Sequence, residues 1–218
     1  MELIIEDWGH MPYREAWQLQ KQRFNEMIEG TERVNAIFCV EHPPVYTLGF
    51  HGNAANLIAS EARLTSLGAE CIRIERGGDI TYHGPGQLVV YPVINLRDFR
   101  LGVKKYVSLL ERAVIDVLAE WGIAASCNDD AIGVWIDWGG LNPRKICAIG
   151  VKISHGITMH GLALNVNTDL SAFSLINPCG ITDKGVTSMV KELGALLDMT
   201  KVKDRLSTIL YKKLISEV

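Results

Sequence analysis

Apolar runs of strand length fill the middle of this sequence, and stretches with helical spacing stand before, between and after them. Strands are predicted at 3–5, 34–40, 45–48, 71–74, 88–96, 133–137, 146–153 and 156–167. Helices are predicted at 13–29, 60–67, 103–121, 187–197 and 200–215. Strands in the middle with helices at intervals favour an α+β fold. Because the 218 residues contain no repeat and no linker-like segment, we expect one domain, 1–218.

Local signals predict where several helices begin and end. Gly30 is expected to end the first long helix, and Gly122 the helix at 103–121, because glycine readily adopts the left-handed conformation found after helix C-termini. Thr187 and Thr200 are expected to cap the two C-terminal helices through their hydroxyl oxygens.

Charge and cysteine content exclude several classes of protein. The chain has 22 basic and 25 acidic residues, a net charge of −3, and no massed basic patch, so we expect no nucleic-acid partner. It has no N-terminal signal pattern and no apolar run of membrane-spanning length, so we expect a soluble, cytoplasmic protein with no membrane partner. Five cysteines without a CxxC pair predict reduced thiols rather than disulfides or structural zinc.

One cysteine lies in a loop and is the candidate nucleophile. Cys179 stands in the string INPCG, where proline restricts the backbone and glycine permits close approach of a substrate. Reactive thiols need partial exposure and nearby positive charge, which a loop can provide. The alternative is a small buried hydrophobic side chain. The other cysteines lie in apolar runs or near a turn and are expected to be inert: Cys39, Cys71, Cys127 and Cys147.

Lys145 stands where the strand-like string RKICAIGVKI begins. Most lysines at such a position point to water. If this one faces an apolar pocket instead, desolvation would let its ammonium exchange protons with a thiol near neutral pH.

A glycine-rich segment, RGGDITYHGPGQ, runs from Arg76 to Gln87. Its glycines would let backbone amides approach a ligand, but the spacing matches neither a phosphate-binding loop nor a dinucleotide-binding fingerprint. A tight hairpin is the alternative interpretation. His83 in this segment and His160 further on could act in acid–base chemistry or serve structural hydrogen bonds. A metal site built from these two histidines and Cys179 lacks any local ligand pair, and we predict no metal.

Four strings in this order carry a specific resemblance: RGGDITYHGPGQLVVYPVINL, RKICAIGVKI, HGLALNVNTDL and INPCGI. Together they resemble the lipoyl(octanoyl) transferase family. The resemblance implies a mixed central sheet flanked by helices plus a smaller sheet, similar to the catalytic domain of biotin and lipoate protein ligases. It also implies transfer of an octanoyl group from octanoyl-acyl carrier protein to a lysine of lipoyl domains, in 2-oxoacid dehydrogenase complexes and the glycine cleavage H protein. This would be the first step of endogenous protein lipoylation.

The resemblance also implies roles for individual residues. Cys179 would be the acyl-thioester nucleophile and Lys145 its catalytic partner, with no cofactor. The positions that match the substrate-binding segments are Arg76, Gly77, Gly78, Asp79, Ile80, Thr81, Tyr82, His83, Ala148, Ile149, Gly150, Gly161, Leu162 and Ala163. Two alternatives are an ATP-dependent lipoate or octanoate ligase, and a non-catalytic module that binds acyl carrier protein.

Overall fold

The computed structural model describes residues 2–177 and 184–218. Its strands are β1 (Leu3–His10), β2 (Asn35–Glu41), β3 (Val45–Leu48), β4 (Glu70–Arg73), β5 (Ile80–His83), β6 (Gln87–Val93), β7 (Val134–Ile136), β8 (Arg144–Ser154), β9 (Ile157–Asn165) and β10 (Gly185–Val186). Its helices are α1 (Tyr13–Glu29), α2 (Glu61–Ser66), α3 (Val103–Glu120), α4 (Met189–Leu193) and α5 (Met199–Ile215). No helix in these ranges is both long enough and apolar enough to cross a bilayer.

The strands form two sheets. Within the described residues, seven strands make a mixed sheet in the order β1-β2-β6-β9-β8-β10, with β7 pairing to β8, and three make a smaller sheet in the order β4-β3-β5. The neighbours β2, β6, β9 and β8 are antiparallel, while β1 pairs parallel to β2 and β10 parallel to β8. The predicted α+β fold with a mixed central sheet and a smaller sheet is therefore confirmed.

The large sheet is covered on both faces. Side chains alternate along a strand, so Leu88 and Leu162 point to one face and pack with apolar residues of α3 and α5 in a large core cluster. Val89 and Ala163 point to the other face and join a second cluster with α1. Each fully buried large apolar side chain contributes roughly 1.5–3 kcal/mol to stability, so these two clusters fix the sheet between its helices.

The helix ends confirm some local predictions and correct others. Gly30 follows α1 with φ of 78°, as the sequence predicts. The predicted threonine caps are wrong, because the side chains of Ser188 and Asp198 accept the capping hydrogen bonds of α4 and α5. Both true caps lie within two residues of the predicted ones, and each is itself a favoured capping residue.

The glycine-rich segment is not a hairpin. Strand β5 belongs to the small sheet, where it pairs with β3, whereas β6 belongs to the large sheet, where it pairs with β2 and β9. Residues 84–86 therefore carry the chain from one sheet to the other. Gly86 has φ of 77° and its Cα lies so close to the Asn167 backbone that an added Cβ would be 2.6 Å from the carbonyl oxygen. Glycine is needed there because any side chain would collide with the backbone that follows β9.

Candidate active site

A cleft of about 510 Å³ lies between the two sheets. Its floor is formed by β8 and β9, where Ala148 pairs with Ala163 and Gly150 pairs with Gly161. Four small residues in adjacent rows leave space above the sheet that larger side chains would fill. Except for Tyr82, all the residues predicted to bind substrate line this cleft.

Two floor glycines have a structural reason to be glycine. A Cβ on Gly161 would lie 2.1 Å from the carbonyl oxygen of Val90 on the neighbouring strand. A Cβ on Gly150 would lie 2.9 Å from the carbonyl oxygen of Gly77. Both contacts are with backbone, so a substitution at Gly161 would disturb the large sheet, and one at Gly150 would displace the loop that contains Gly77.

The loop above the floor is held by Arg76. Its buried guanidinium donates hydrogen bonds to the Thr47 carbonyl oxygen at 2.7 Å and to the Gly77 carbonyl oxygen at 2.9 Å. The Gly77 amide donates to the Val151 carbonyl oxygen at 3.0 Å, which ties the loop to β8. Arg76 therefore fixes the loop that bridges the small and large sheets.

Asp79, the next charged residue of the loop, anchors a second turn. Its carboxylate accepts hydrogen bonds from the Asn53 amide at 3.2 Å and from the Asn56 side chain. Asp79 lines the cleft as well, so one carboxylate both borders the site and orders residues 53–56.

Strand β5 contributes residues both to the cleft and to the core of the small sheet. Thr81 and His83 line the cleft, whereas Tyr82 points away and packs against the rings of Tyr46 and Phe173. All the substrate-binding assignments, that of Tyr82 included, stay predictions. His83 Nδ1 lies 2.8 Å from the Gln87 side-chain oxygen, and burial lowers the pKa of His83 to about 3. His83 is therefore a neutral ring that donates through Nδ1 to Gln87.

His160 is the second histidine in the cleft wall. It has φ of 61°, a left-handed conformation rare for a non-glycine residue in a strand, and its amide donates to the Gln20 side-chain oxygen at 3.0 Å. Its side chain is buried, and within residues 2–177 and 184–218 neither ring nitrogen has a hydrogen-bond partner. Burial lowers the pKa of His160 to about 3. A neutral ring in this state can donate to or accept from a molecule in the cleft.

Lys145 lies at another part of the cleft, at the start of β8. Its Nζ atom donates to the Ile132 carbonyl oxygen at 3.1 Å and lies 4.6 Å from the centre of the Trp135 ring. A Cβ on Gly133 would lie 3.3 Å from Lys145 Cε, so the lysine stem packs directly on that glycine. The side chain is half-buried and held in a defined position rather than pointing to bulk water.

The candidate nucleophile lies outside the described residues. Residues 178–183 include Cys179 and are not part of the described structure. After that segment, Val186 of β10 pairs with Lys145, and Lys184 lines the cleft. The role of Cys179 stays a prediction.

The four described cysteines are poor nucleophiles. Cys39 and Cys147 are buried, Cys71 is half-buried and Cys127 is exposed. Burial raises the pKa of all four thiols, that of Cys39 to about 12. Each stays a protonated thiol at neutral pH, which agrees with the expectation that they are inert.

Several residues of the cleft wall were not predicted as site residues. Tyr13 comes from α1, and Gln87 ends the glycine-rich segment. Trp135 lies in the string IGVW. Its position two residues after a glycine was the sequence pattern available for predicting it as a site residue. Tyr13 gave no local signal, because only the packing of α1 against the large sheet brings it to the cleft.

In the described ranges, no three His, Cys, Asp or Glu side chains group closely enough to hold a metal ion.

Comparison with known proteins assigns the chain to a family. The model of the lipoyl protein ligase A/B catalytic domain matches residues 12–210. This chain belongs to the lipoyl protein ligase A/B catalytic-domain family. An octanoyltransferase from Bacteroides fragilis is 52% identical over the full length of both chains. An octanoyltransferase from Cytophaga hutchinsonii is 47% identical over 94% of this chain and 89% of its own length.

Solved structures of a lipoate protein ligase and a biotin protein ligase share this fold. A bipartite lipoate protein ligase from Thermoplasma acidophilum superposes with a TM-score of 0.73 at 18% identity, over 98% of this chain and 83% of its own. A biotin protein ligase from Aquifex aeolicus superposes with a TM-score of 0.52 at 13% identity, over 99% of this chain and 70% of its own. The resemblance that the sequence strings predicted, in both family and fold, is confirmed.

Proposed function

We propose that this lipoyl protein ligase A/B family member is an octanoyltransferase. It moves an octanoyl group from acyl carrier protein to a lysine of lipoyl domains, in 2-oxoacid dehydrogenase complexes and the glycine cleavage H protein. The full-length identity to octanoyltransferases supports the activity. The observation that carries it is the geometry of the cleft, whose small-residue floor leads to the ammonium group of Lys145. We place the reaction in the cytoplasm, where thiols such as Cys179 stay reduced.

The floor is long enough for the acyl chain. At about 3.3 Å per residue, β8 advances about 17 Å from Lys145 to Gly150. An extended eight-carbon chain spans roughly 9 Å, given carbon–carbon bonds of about 1.5 Å. An octanoyl group with its carbonyl near Lys145 therefore fits over Ala148 and Ala163, with room beyond its methyl end. Apolar walls with few polar groups are typical of sites that bind acyl chains.

Transfer proceeds in two steps in this proposal. The Cys179 thiolate attacks the carrier thioester, a new carbon–sulfur bond forms, and the carrier sulfur leaves and takes a proton from the Lys145 ammonium. The neutral amine of the acceptor lysine then attacks the acyl-enzyme, and Lys145 accepts its proton. The bond to Cys179 breaks, an amide remains on the acceptor, and the thiolate returns. No ATP is consumed, because the thioester is already activated.

The alternatives differ in what they consume and what they form. A ligase would use ATP and free octanoate, and its fold would be the same, because the solved ligases share the fold at under 20% identity. A carrier-binding module would bind octanoyl-acyl carrier protein without becoming acylated. Covalent acylation without ATP separates the proposal from both.

The experiment records intact masses after incubation with octanoyl-acyl carrier protein in the absence of ATP. We expect an octanoyl adduct on the wild type that is discharged when a lipoyl domain is added, and no adduct on Cys179→Ala. Cys127→Ala is the matched control, because it removes an exposed thiol outside the cleft lining and should leave the adduct unchanged. Failure of the wild type to form an adduct, with lipoyl-domain modification only when ATP and octanoate are supplied, would contradict the proposal.

A further inference from the structure

One peptide group connects Lys145 to a carboxylate on α3. The carbonyl oxygen of Ile132 accepts a hydrogen bond from Lys145 Nζ at 3.1 Å. The amide of Gly133, which belongs to the same peptide unit, donates to Glu111 Oε1 at 3.0 Å. A planar peptide cannot turn its carbonyl without turning its amide, so a partner that fixes the amide also fixes the carbonyl.

Glu111 is a charged residue among the buried apolar residues on the inward side of α3. Its neighbours on the inward side of α3, including Leu110 and Val114, are fully buried and apolar. Glu111 itself is only 8% exposed, and burying a carboxylate is costly unless hydrogen bonds and nearby charge compensate. The Gly133 amide supplies the hydrogen bond, and the Lys145 ammonium supplies favourable charge. Burial still raises the pKa of Glu111 above its ordinary value.

Gly133 permits this arrangement. Its φ of 123° is open to glycine but strained for other residues, and an added Cβ would lie 2.7 Å from the Cys147 carbonyl oxygen. Because position 133 has no side chain, the Ile132–Gly133 peptide fits between Glu111 and the Lys145 side chain.

We propose that Glu111 is a positioning residue for Lys145, acting through the Ile132–Gly133 peptide. Glu111 holds the amide, the carbonyl of the same peptide holds the ammonium, and the ammonium stays at the cleft where protons are exchanged. This inference rests on the proposed function, in which Lys145 gives and accepts the proton of each transfer step. A purely structural role, in which Glu111 only secures the loop at 128–133, predicts a loss of stability without a specific loss of turnover.

Two substitutions distinguish the effect of the Glu111 hydrogen bond from the effect of its side-chain size. Glu111→Gln keeps a side-chain oxygen that can accept from the Gly133 amide, whereas Glu111→Leu removes the acceptor at similar size. We expect Glu111→Leu to lower kcat by about 10- to 100-fold with KM for octanoyl-acyl carrier protein within about twofold, since a misplaced catalytic group loses rate rather than substrate affinity. Glu111→Gln should retain most of the activity.

The matched control is Val114→Ala, a cavity-forming change in the same helix at a fully buried position outside the cleft lining. It should lower the melting temperature while leaving the kcat of the folded enzyme unchanged. A kcat for Glu111→Leu equal to that of Val114→Ala would overturn the proposal. A Glu111→Gln enzyme as impaired as Glu111→Leu would overturn the role of the hydrogen bond.

A second measurement does not depend on catalysis. Reductive methylation followed by peptide mapping measures how fast each lysine amine reacts, with Lys184 as an internal reference at the same cleft. Without its fixed carbonyl partner, Lys145 should be methylated several-fold faster in Glu111→Leu, and at the wild-type rate in Glu111→Gln and Val114→Ala. An unchanged Lys145 rate in Glu111→Leu would overturn the inference even if the wild type forms no acyl-enzyme. A wild type without an acyl-enzyme but with the predicted Lys145 rates would instead contradict only the proposed function.

Discussion

Trp135 lies directly across the β7–β8 strand pair from Lys145, and the Lys145 Nζ atom lies 4.6 Å from the centre of the indole ring. The indole nitrogen donates to the Ala131 carbonyl oxygen at 2.9 Å, one residue before the carbonyl that accepts from Lys145. The loop at 131–133 thus holds both the aromatic face and the carbonyl that contact the ammonium. The electron-rich ring face attracts the ammonium, so Trp135 helps to hold the Lys145 side chain in place.

Replacing Trp135 tests the contribution of the aromatic face. Trp135→Leu removes the ring, and the loss of about 0.5–2 kcal/mol of cation–π stabilisation should slow acyl transfer by roughly 2- to 30-fold. Trp135→Phe keeps a ring face but not the indole hydrogen bond, and should be less impaired. Single-turnover transfer rates measure the difference. Equal rates for the two variants would argue that the indole hydrogen bond, and not the ring face, is what matters.

Gly133→Ala should be more harmful than a comparable glycine substitution nearby. Gly133 and Gly139 both have positive φ, 123° and 83°, but only Gly133 has backbone within contact distance of an added Cβ. Gly139→Ala should cost about 1 kcal/mol of unfolding free energy from backbone strain alone. Gly133→Ala should cost roughly 2–4 kcal/mol because crowding adds to the strain. Urea unfolding of both variants measures the two costs; a similar cost for both would mean that the contact with Cys147 is relieved easily.

The part of the cleft over Ala148 that is proposed to hold the acyl chain, called the acyl slot, should bind long acyl chains less well when a floor side chain is enlarged. Ala148→Leu places a larger side chain above β8 without the backbone clash expected at Gly161, so it should narrow the slot while the sheet stays intact. We expect the KM for octanoyl donors to rise about 10-fold and that for butanoyl donors to change little. Ala113→Val is the control, because Ala113 is buried in α3 outside the cleft lining and should affect stability alone. A uniform change for all chain lengths would place the acyl chain elsewhere.

Acid should destabilise the protein through its buried neutral histidines. Burial lowers the pKa of His42 to about 4, and those of His83 and His160 to about 3. In the unfolded chain these groups titrate near 6.5, so below that pH the unfolded state binds protons that the folded state does not. Stability should therefore fall as the pH drops from 6.5 towards 4, by about 1 kcal/mol per pH unit for each histidine.

The matched pair for this test uses two histidines with left-handed backbone. His160→Asn removes a buried imidazole with φ of 61°, and His155→Asn removes an exposed one with φ of 55°. Asparagine tolerates this backbone conformation, so strain is similar in both. Urea unfolding at pH 7, 6 and 5 should show a shallower pH dependence for His160→Asn and an unchanged one for His155→Asn. A wild-type slope in His160→Asn would mean that this ring is not held neutral.

Much of the fold could be predicted because its signals are local. The glycine after α1, the periodicity of α3 and the apolar runs of β2, β3 and β8 depend on neighbouring residues, and each lies within a few positions of its prediction. The threonine caps failed for the same reason, since Ser188 and Asp198 compete with Thr187 and Thr200 within one turn. A hairpin was one of two interpretations of the glycine-rich segment, because a turn signal does not say which sheet the next strand will join.

The sequence by itself indicated the α+β class through its periodic patterns and the family through four specific strings, and the resemblance to that family implied the second sheet and the role predicted for Lys145. Only the tertiary structure decided how Lys145 is held. Glu111, the Ile132–Gly133 peptide and Trp135 come from a helix, a loop and a strand that are separated along the chain. Their contacts form only when α3 packs against the large sheet, and no local pattern specifies which distant side chains that packing brings together.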